Sequence, residues 1–439
     1  MAQWQPQPQI IRQKFPNQNV LLYQGFSELA DKENIIEGTS SVQISWYPFP
    51  RIIIEFEYKG EDSVDLGETN LKLTELVPQE WIKVHFYESS KQGLNPYKLV
   101  GYLTQPLIQG KTEGLLSLTF HVANFYCFNN SNRYDYELDD KGIEKEIQRE
   151  GWLDFDGQLI FDFEDWHIVL GTLEETYDLQ EKLEVQGGYG VTHVCKVEKL
   201  DNSQFNLDKG YEIINAFVYY LSFVRGIWLA PLFVTGFDAE GNKILEEWRT
   251  PTIKADSWQS PNYSCVEADS TEIVDIFSGF MKKWQDKVWK EVVQNSIQWY
   301  LESFKHQTGY NTSIILIQAA LEKIAWTYLK TNACVTSEGF NGLKASGQIR
   351  LLLKFLNIEL IPVDSDNYPK IKFKANERKE TWIDTVQAFT EVRNAIIHPP
   401  AKKGEKPFLP SEEMMIEAFA IGHHYLLQCL LKLFDRPYI

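Results

Sequence analysis

The sequence predicts an α+β multidomain protein. It reads as a β-rich N-terminal region (1–180), a mixed α/β middle (181–268) and a helical C-terminal domain (269–439) with four helices in a bundle. Three observations predict this. Apolar and polar residues alternate until about residue 180. From about 269 the apolar residues recur at spacings of three and four. The chain has 439 residues, 44% hydrophobic and 14% aromatic, an ordinary globular composition with length for two or three cores.

In the first region "RIIIEFEY" puts Ile52, Ile54, Phe56 and Tyr58 on one face, and "WIKVHFYES" does the same with Ile82, Val84 and Phe86. "LLSLTFHV" aligns Leu116, Leu118, Phe120 and Val122. Period two with one polar face predicts half-buried antiparallel strands. Asp156-Gly157 inside "DFDGQLIFDF" predicts a hairpin turn, and "NNSNRYDYELDDKG" (Asn129 to Gly142) a polar loop. In the middle, "THVCKVEKL" reads as a strand and "DKGYEIINAFVYYLSFVRG" as a helix ending near Gly226. "WLAPLFVTGFDAEGNKI" reads as strands about a turn at Glu240-Gly241.

The first C-terminal helix is expected to start at an Asp269/Glu272 cap and carry Phe277, Met281, Trp284, Val288 and Val292. The second starts near "YNTS" with a stripe of Ile314, Ile317, Leu321, Ile324 and Tyr328. The third runs through Trp382, Val386, Phe389 and Ile396 to His398. The fourth starts at Ser411 as N-cap, with Glu412 and Glu413 suiting the positive helix end. Its stripe is Met415, Ala418, Phe419, Gly422, Tyr425, Leu426 and Leu430.

The totals narrow the function. Net charge is −18, a field that repels nucleic acid at long range, so any nucleic-acid chemistry must be local. Five scattered cysteines, odd in number and without a CxxC pair, argue against a disulfide framework or zinc ribbon and for a reducing, cytoplasmic setting. The N-terminus, "MAQWQPQPQIIRQKF", lacks the basic start and apolar run of a secretory signal. The most membrane-like stretch, Ala216 to Val234, is interrupted by Arg225 and Pro231 and reads as a buried helix running into a buried strand. No membrane role is expected; a membrane-associated sensor acting through this stretch is the alternative.

Minor candidates have simple readings. "DFEDWHI" gathers Asp162, Glu164, Asp165 and His167, but Asp162 and Glu164 read as a solvated strand face. His193 and Cys195 in "THVC" read as packing, "QGGYGV" as a turn, and His423 and His424 as diverging helix positions. The front aromatics read as core. No metal or cofactor is expected.

The chemical signal lies in "FTEVRNAIIHPPAKKG", Phe389 to Gly404. Arg393 sits on or beside the apolar stripe. His398 precedes Pro399, which biases it away from α geometry, so the helix should end there with the imidazole projecting from a frayed tip. From Arg350 to Pro410, 11 Lys and Arg stand against 8 Asp and Glu, so the chain turns locally basic. "KIKFKANERK" and "AKKGEK" flank the motif helix.

"RNAIIH" matches an Arg-x4-His motif with a polar residue after the arginine, and "SIILIQAALEKIAWTYL" looks like the preceding bundle helix. Over about 280–439 the chain resembles the HEPN superfamily. A β-rich front on such a tail resembles bacterial proteins, some linked to phage defence. The resemblance implies a HEPN-like four-helix bundle and a metal-independent endoribonuclease, a toxin or defence effector working as a homodimer or higher homo-oligomer. Arg393 and His398 would be the catalytic pair. Asn394 would orient the phosphate or the histidine, and Glu322 would pair with Arg393 and hold its rotamer. Lys372, Lys374, Lys402 and Lys403 would bind RNA, and the front region would sense a protein trigger or regulator. The competing class is a non-catalytic dimerisation module with a ligand- or partner-binding front. There His398 merely caps its helix and Arg393 is an ion pair with Glu322 or Glu391.

Overall fold

The computed structural model describes residues 11–31, 34–60, 64–76, 80–91, 96–126, 134–138, 144–148, 155–259, 270–305, 309–333, 335–378, 382–398 and 408–436. The protein is mixed α+β and multidomain, β-rich in front and helical behind, as predicted.

The front strands are β1 (Val20–Asp31), β2 (Asn34–Ser45), β3 (Arg51–Tyr58), β4 (Gly67–Leu73), β5 (Trp81–Lys91) and β6 (Tyr97–Leu103). They close a barrel in the order β1-β2-β3-β6-β5-β4, every pair antiparallel. Closure leaves no unpaired edge. The predicted inward faces hold: Ile52, Ile54, Phe56, Tyr58, Ile82, Val84 and Phe86 are all buried.

Next come β7 (Leu107–Gly110), β8 (Ser117–Ala123), β9 (Tyr134–Leu138), β10 (Glu144–Gln148), β11 (Phe155–Phe163), β12 (Trp166–Leu173), α1 (Thr176–Gln186), β13 (Val191–Lys199), α2 (Leu207–Arg225), β14 (Pro231–Phe237) and β15 (Lys243–Trp248). Seven of these strands form a sheet in the order β11-β12-β13-β8-β14-β15-β7. It takes strands from both sides of residue 180, so the predicted boundary there falls inside one sheet. Polarity patterns mark strands but not their partners.

Three further expectations are corrected. β8 is buried along its whole length, not half-buried. Leu118 lies under Gly210 of α2, where an added Cβ would fall 2.2 Å from Leu118 Cδ1. On the opposite face the His121 ring accepts from the Ile11 backbone N–H at 3.2 Å, and Thr119 is buried as well. Asp156-Gly157 is a bulge within β11, not a turn. The β11–β12 hairpin turns instead at Glu164, with φ 52. Within the expected polar loop Tyr134–Leu138 is β9, which pairs antiparallel with β10, and the rest of that loop lies outside the described residues.

Ala216 to Val234 is the end of α2, a link through Gly226 (φ 78) and the start of β14, the helix-into-strand arrangement expected. Among the described residues one helix, Glu412–Leu433, is long and apolar enough to cross a membrane, and 61% of its apolar window is buried within the protein.

The C-terminal helices are α3 (Ser270–Gln285), α4 (Trp289–Ser303), α5 (Tyr310–Thr331), α6 (Ser337–Asn341), α7 (Ala345–Phe355), α8 (Pro369–Glu377), α9 (Thr385–Ile397) and α10 (Glu412–Leu433). Four were expected. The first expected helix is two, because the Asp286 carboxylate accepts from the backbone N–H groups of Val288 and Trp289 and starts α4 afresh. Asp269 lies outside the described residues. The basic flank "KIKFKANERK" is largely α8. α5 packs against α4, α7, α9 and α10, with Ile314, Ile317, Leu321 and Ile324 fully buried. Ser411 caps α10 as predicted, its Oγ accepting from the Met414 N–H. Met414 rather than Met415 is buried.

The chain thus forms two compact units. One holds the barrel, the sheet, α1 and most of α2, and the other holds α3 to α10.

Candidate active site

The candidate site is the C-terminal end of α9. At its other end, Asp384 caps the helix through Oδ1, which accepts from the Gln387 N–H at 2.8 Å. The Asp384 carboxylate also takes Arg350 Nε at 2.5 Å and Nη2 at 3.1 Å. Thr385 Oγ1 donates to the Ile361 carbonyl at 2.8 Å, and the Tyr425 hydroxyl lies 2.6 Å away. Phe389 lies against Gly422 of α10, where a Cβ would fall 2.4 Å from its ring. The start and middle of α9 are therefore fixed, and its tip is placed by them.

Helix α9 ends where Pro399 requires. His398 leaves α geometry with φ −110 and ψ 134, and its N–H donates to the Asn394 carbonyl at 2.9 Å. The His398 side chain is exposed, and its ring makes no hydrogen bond among the described residues. Arg393 is half-buried. Its Nη1 donates to Asn394 Oδ1 at 3.3 Å, while its Nε–H is buried with no acceptor among the described residues. Asn394 therefore joins both groups, one through its side chain and one through its backbone.

Glu322 does not pair with Arg393. It accepts from Gln318 Nε2 at 2.5 Å, one turn away on α5. Glu391 is also committed elsewhere, taking Arg378 Nη1 at 2.6 Å, Trp382 Nε1 at 2.7 Å and Gln387 Nε2 at 3.2 Å. Both carboxylates expected as ion-pair partners are thus occupied, and Arg393 faces no carboxylate among the described residues. Its guanidinium makes one hydrogen bond among the described residues, the one to Asn394.

The flanking lysines are less free than expected. Lys372 pairs with Asp366 at 2.6 Å and Lys374 with Glu377 at 2.5 Å. Lys402 and Lys403 lie outside the described residues. The N-terminus of α8 is closed by Glu417, which accepts from the Lys370 and Ile371 N–H groups.

The minor candidates make ordinary local contacts, at the surface for Asp162 and His167 and in the core for His193 and Cys195. Asp162 and His167 bond at 2.6 Å across β11 and β12, and among the described residues no group of three or more His, Cys, Asp or Glu is arranged to hold a metal ion. Glu164 lies in the turn, not on the strand face with Asp162. His193 is fully buried, its ring 3.1 Å from Thr172 Oγ1 and 2.9 Å from Thr192 Oγ1. Burial pushes that imidazole down to about 3, and raises the Cys195 thiol. His423 is buried and His424 exposed, so they diverge.

Residues 110–260 match the family model of the YopA central domain, and residues 286–436 that of the YopA C-terminal domain. The chain is similar to YopA. The SPbeta prophage-derived uncharacterized protein YopA of Bacillus subtilis (strain 168) is 23% identical over 398 residues, covering 87% of this chain and 83% of that protein. The YopA C-terminal match contains Arg393, Asn394 and His398, and the YopA central match contains every strand from β8 to β15. No solved structure matches the chain.

The sequence reading missed Gln318 and Asp384. Each left a trace: a polar residue inside the apolar run of α5, and an aspartate three residues before the first hydrogen-bonded N–H of α9.

Proposed function

We propose that the C-terminal unit is a HEPN-type bundle acting as a metal-independent endoribonuclease, in a toxin or phage-defence effector that works in the cytoplasm. The observation that carries this reading is Arg393: partly buried at a helix tip, bonded only to Asn394, and free of any carboxylate among the described residues. Its guanidinium clamps the phosphoryl oxygens as charge builds. The RNA 2′-hydroxyl attacks the adjacent phosphorus. The exposed His398 imidazole takes that proton or protonates the leaving 5′-oxygen. One copy supplies one imidazole, so separate acid and base call for two copies of the chain. The barrel and sheet would sense a protein trigger. The Bacillus relative is prophage-derived, which fits a role in conflict between phages and hosts.

The exposed His398 ring, without a hydrogen bond among the described residues, favours a second reading, a non-catalytic dimerisation module. In it the tip of α9 is a contact surface, to which Ile397, 37% exposed, contributes.

The test uses the purified full chain with a single-stranded RNA in EDTA. Products ending in 2′,3′-cyclic phosphate, lost in His398→Ala and never formed from an all-deoxy strand, support the nuclease. Wild-type protein as inert as the variant, with every candidate trigger added, returns the assignment to the module.

A further inference from the structure

Glu322 is not bonded to Arg393, yet it orients an atom suited to that guanidinium. A carboxylate only accepts, so the Gln318 amide must turn its NH2 towards Glu322 and its carbonyl away. Gln318 is fully buried, and its Oε1 has no hydrogen-bond partner among the described residues. A buried acceptor without a donor is rare. The complementary defect lies on a helix packed against α5: Arg393 Nε–H, on α9, is a buried donor without an acceptor among the described residues. Ser296 Oγ on α4 and His423 Nε2 on α10 are also buried with no hydrogen bond among the described residues, but each can donate or accept. Gln318 Oε1 can only accept and Arg393 Nε–H can only donate, so these two, on helices in contact, complement each other.

We infer that Gln318 is a positioning residue for Arg393: its carbonyl, aimed by Glu322, receives the guanidinium Nε–H when the site engages a phosphodiester. Held by Nε, the guanidinium presents both terminal nitrogens outwards, which is the bidentate geometry that phosphate oxygens take. Glu322 then acts at one remove, through the amide. The ligand named here rests on the ribonuclease reading; the hydrogen bond does not.

The experiment follows the Nε–H resonance of Arg393 in the full chain labelled with 15N-arginine, assigned as the signal missing from Arg393→Lys. The probe ligand is an uncut all-deoxy oligonucleotide. With it present, solvent exchange of that proton should quicken at least about threefold in Gln318→Leu, and likewise in Gln318→Met, a near-isosteric variant that removes the acceptor. Oligonucleotide affinity should fall about fivefold in either variant. In an Arg393→Lys background the same changes should cost no further affinity, because the group through which Gln318 acts is gone; a merely structural role would give additive losses. Unchanged exchange in both variants overturns the inference, as do additive losses. If the wild type never cleaves RNA but the exchange effect stands, the ribonuclease reading fails and the positioning role survives. If the oligonucleotide does not bind, the exchange measured with saturating inorganic phosphate decides the matter by the same criterion.

Discussion

Asp384 takes the guanidinium of Arg350 through both carboxylate oxygens, Nε at 2.5 Å and Nη2 at 3.1 Å, while capping the first turn of α9. One side chain thus fixes the start of the helix whose far end carries Arg393 and His398. Asp384→Ala removes the cap and the ion pair together and should cost about 2–3 kcal/mol of stability. Asp384→Asn keeps an oxygen for the cap and should cost about half as much, since Arg350 is partly exposed and its charge is screened. Denaturant titration of the two variants checks the order.

Arg393→Lys keeps the charge and discards the fork. On the proposed ribonuclease reading, cleavage of single-stranded RNA should fall about 100-fold in kcat/KM. The melting temperature should stay within about 2 °C of the parent, because Arg393 makes no ion pair among the described residues. A large loss of stability would mark the arginine as structural.

Gly422→Ala should destabilise the helical unit. The new methyl would meet the Phe389 ring at 2.4 Å, and either the ring or α9 must move. A cost of about 1–3 kcal/mol is expected. Because α9 carries the motif, the proposed cleavage activity should fall in the fraction that remains folded. Phe389→Leu in the same chain should recover part of the stability.

The His121 imidazole is buried, and its pKa is pushed down to about 4 by desolvation. It is neutral in the folded chain and takes a proton below about 6.5 once unfolded. The unfolded state therefore binds more protons between these values, and stability falls as pH drops from about 6.5 towards 4. The loss from this group alone is of order 3 kcal/mol. Thermal melts of the wild type and of His121→Asn across pH 4 to 7 should show a shallower slope in the variant.

Much of the fold was legible because alternation and helical period report burial directly. The inward faces of β3 and β5, the α5 stripe, the Ser411 cap and the stop at His398 all follow from local rules. The misses were cases where a distant partner decided. β8 is buried on both faces because α2 covers one and the Ile11 segment lies on the other, neither of which its own pattern records. The break before α4 hangs on Asp286, one carboxylate in an otherwise continuous stripe. At the candidate site, the sequence pointed to Arg393 and His398 through a motif, and to Glu322 as the arginine's partner only through its place on the second helix, a pairing the structure does not show. It is Gln318, one turn earlier, that takes the Glu322 carboxylate.

The strand order of the large sheet carries a consequence for synthesis. β8 leaves the ribosome long before β13 and β14, its two neighbours, whereas every strand of the barrel is complete by Leu103. The barrel can close early during translation, while Leu118, Phe120 and Val122 wait uncovered for chain not yet made. A newly made molecule stalled or truncated before residue 191 should therefore carry a folded barrel and a sticky, incomplete sheet, and depend on a chaperone to stay in solution.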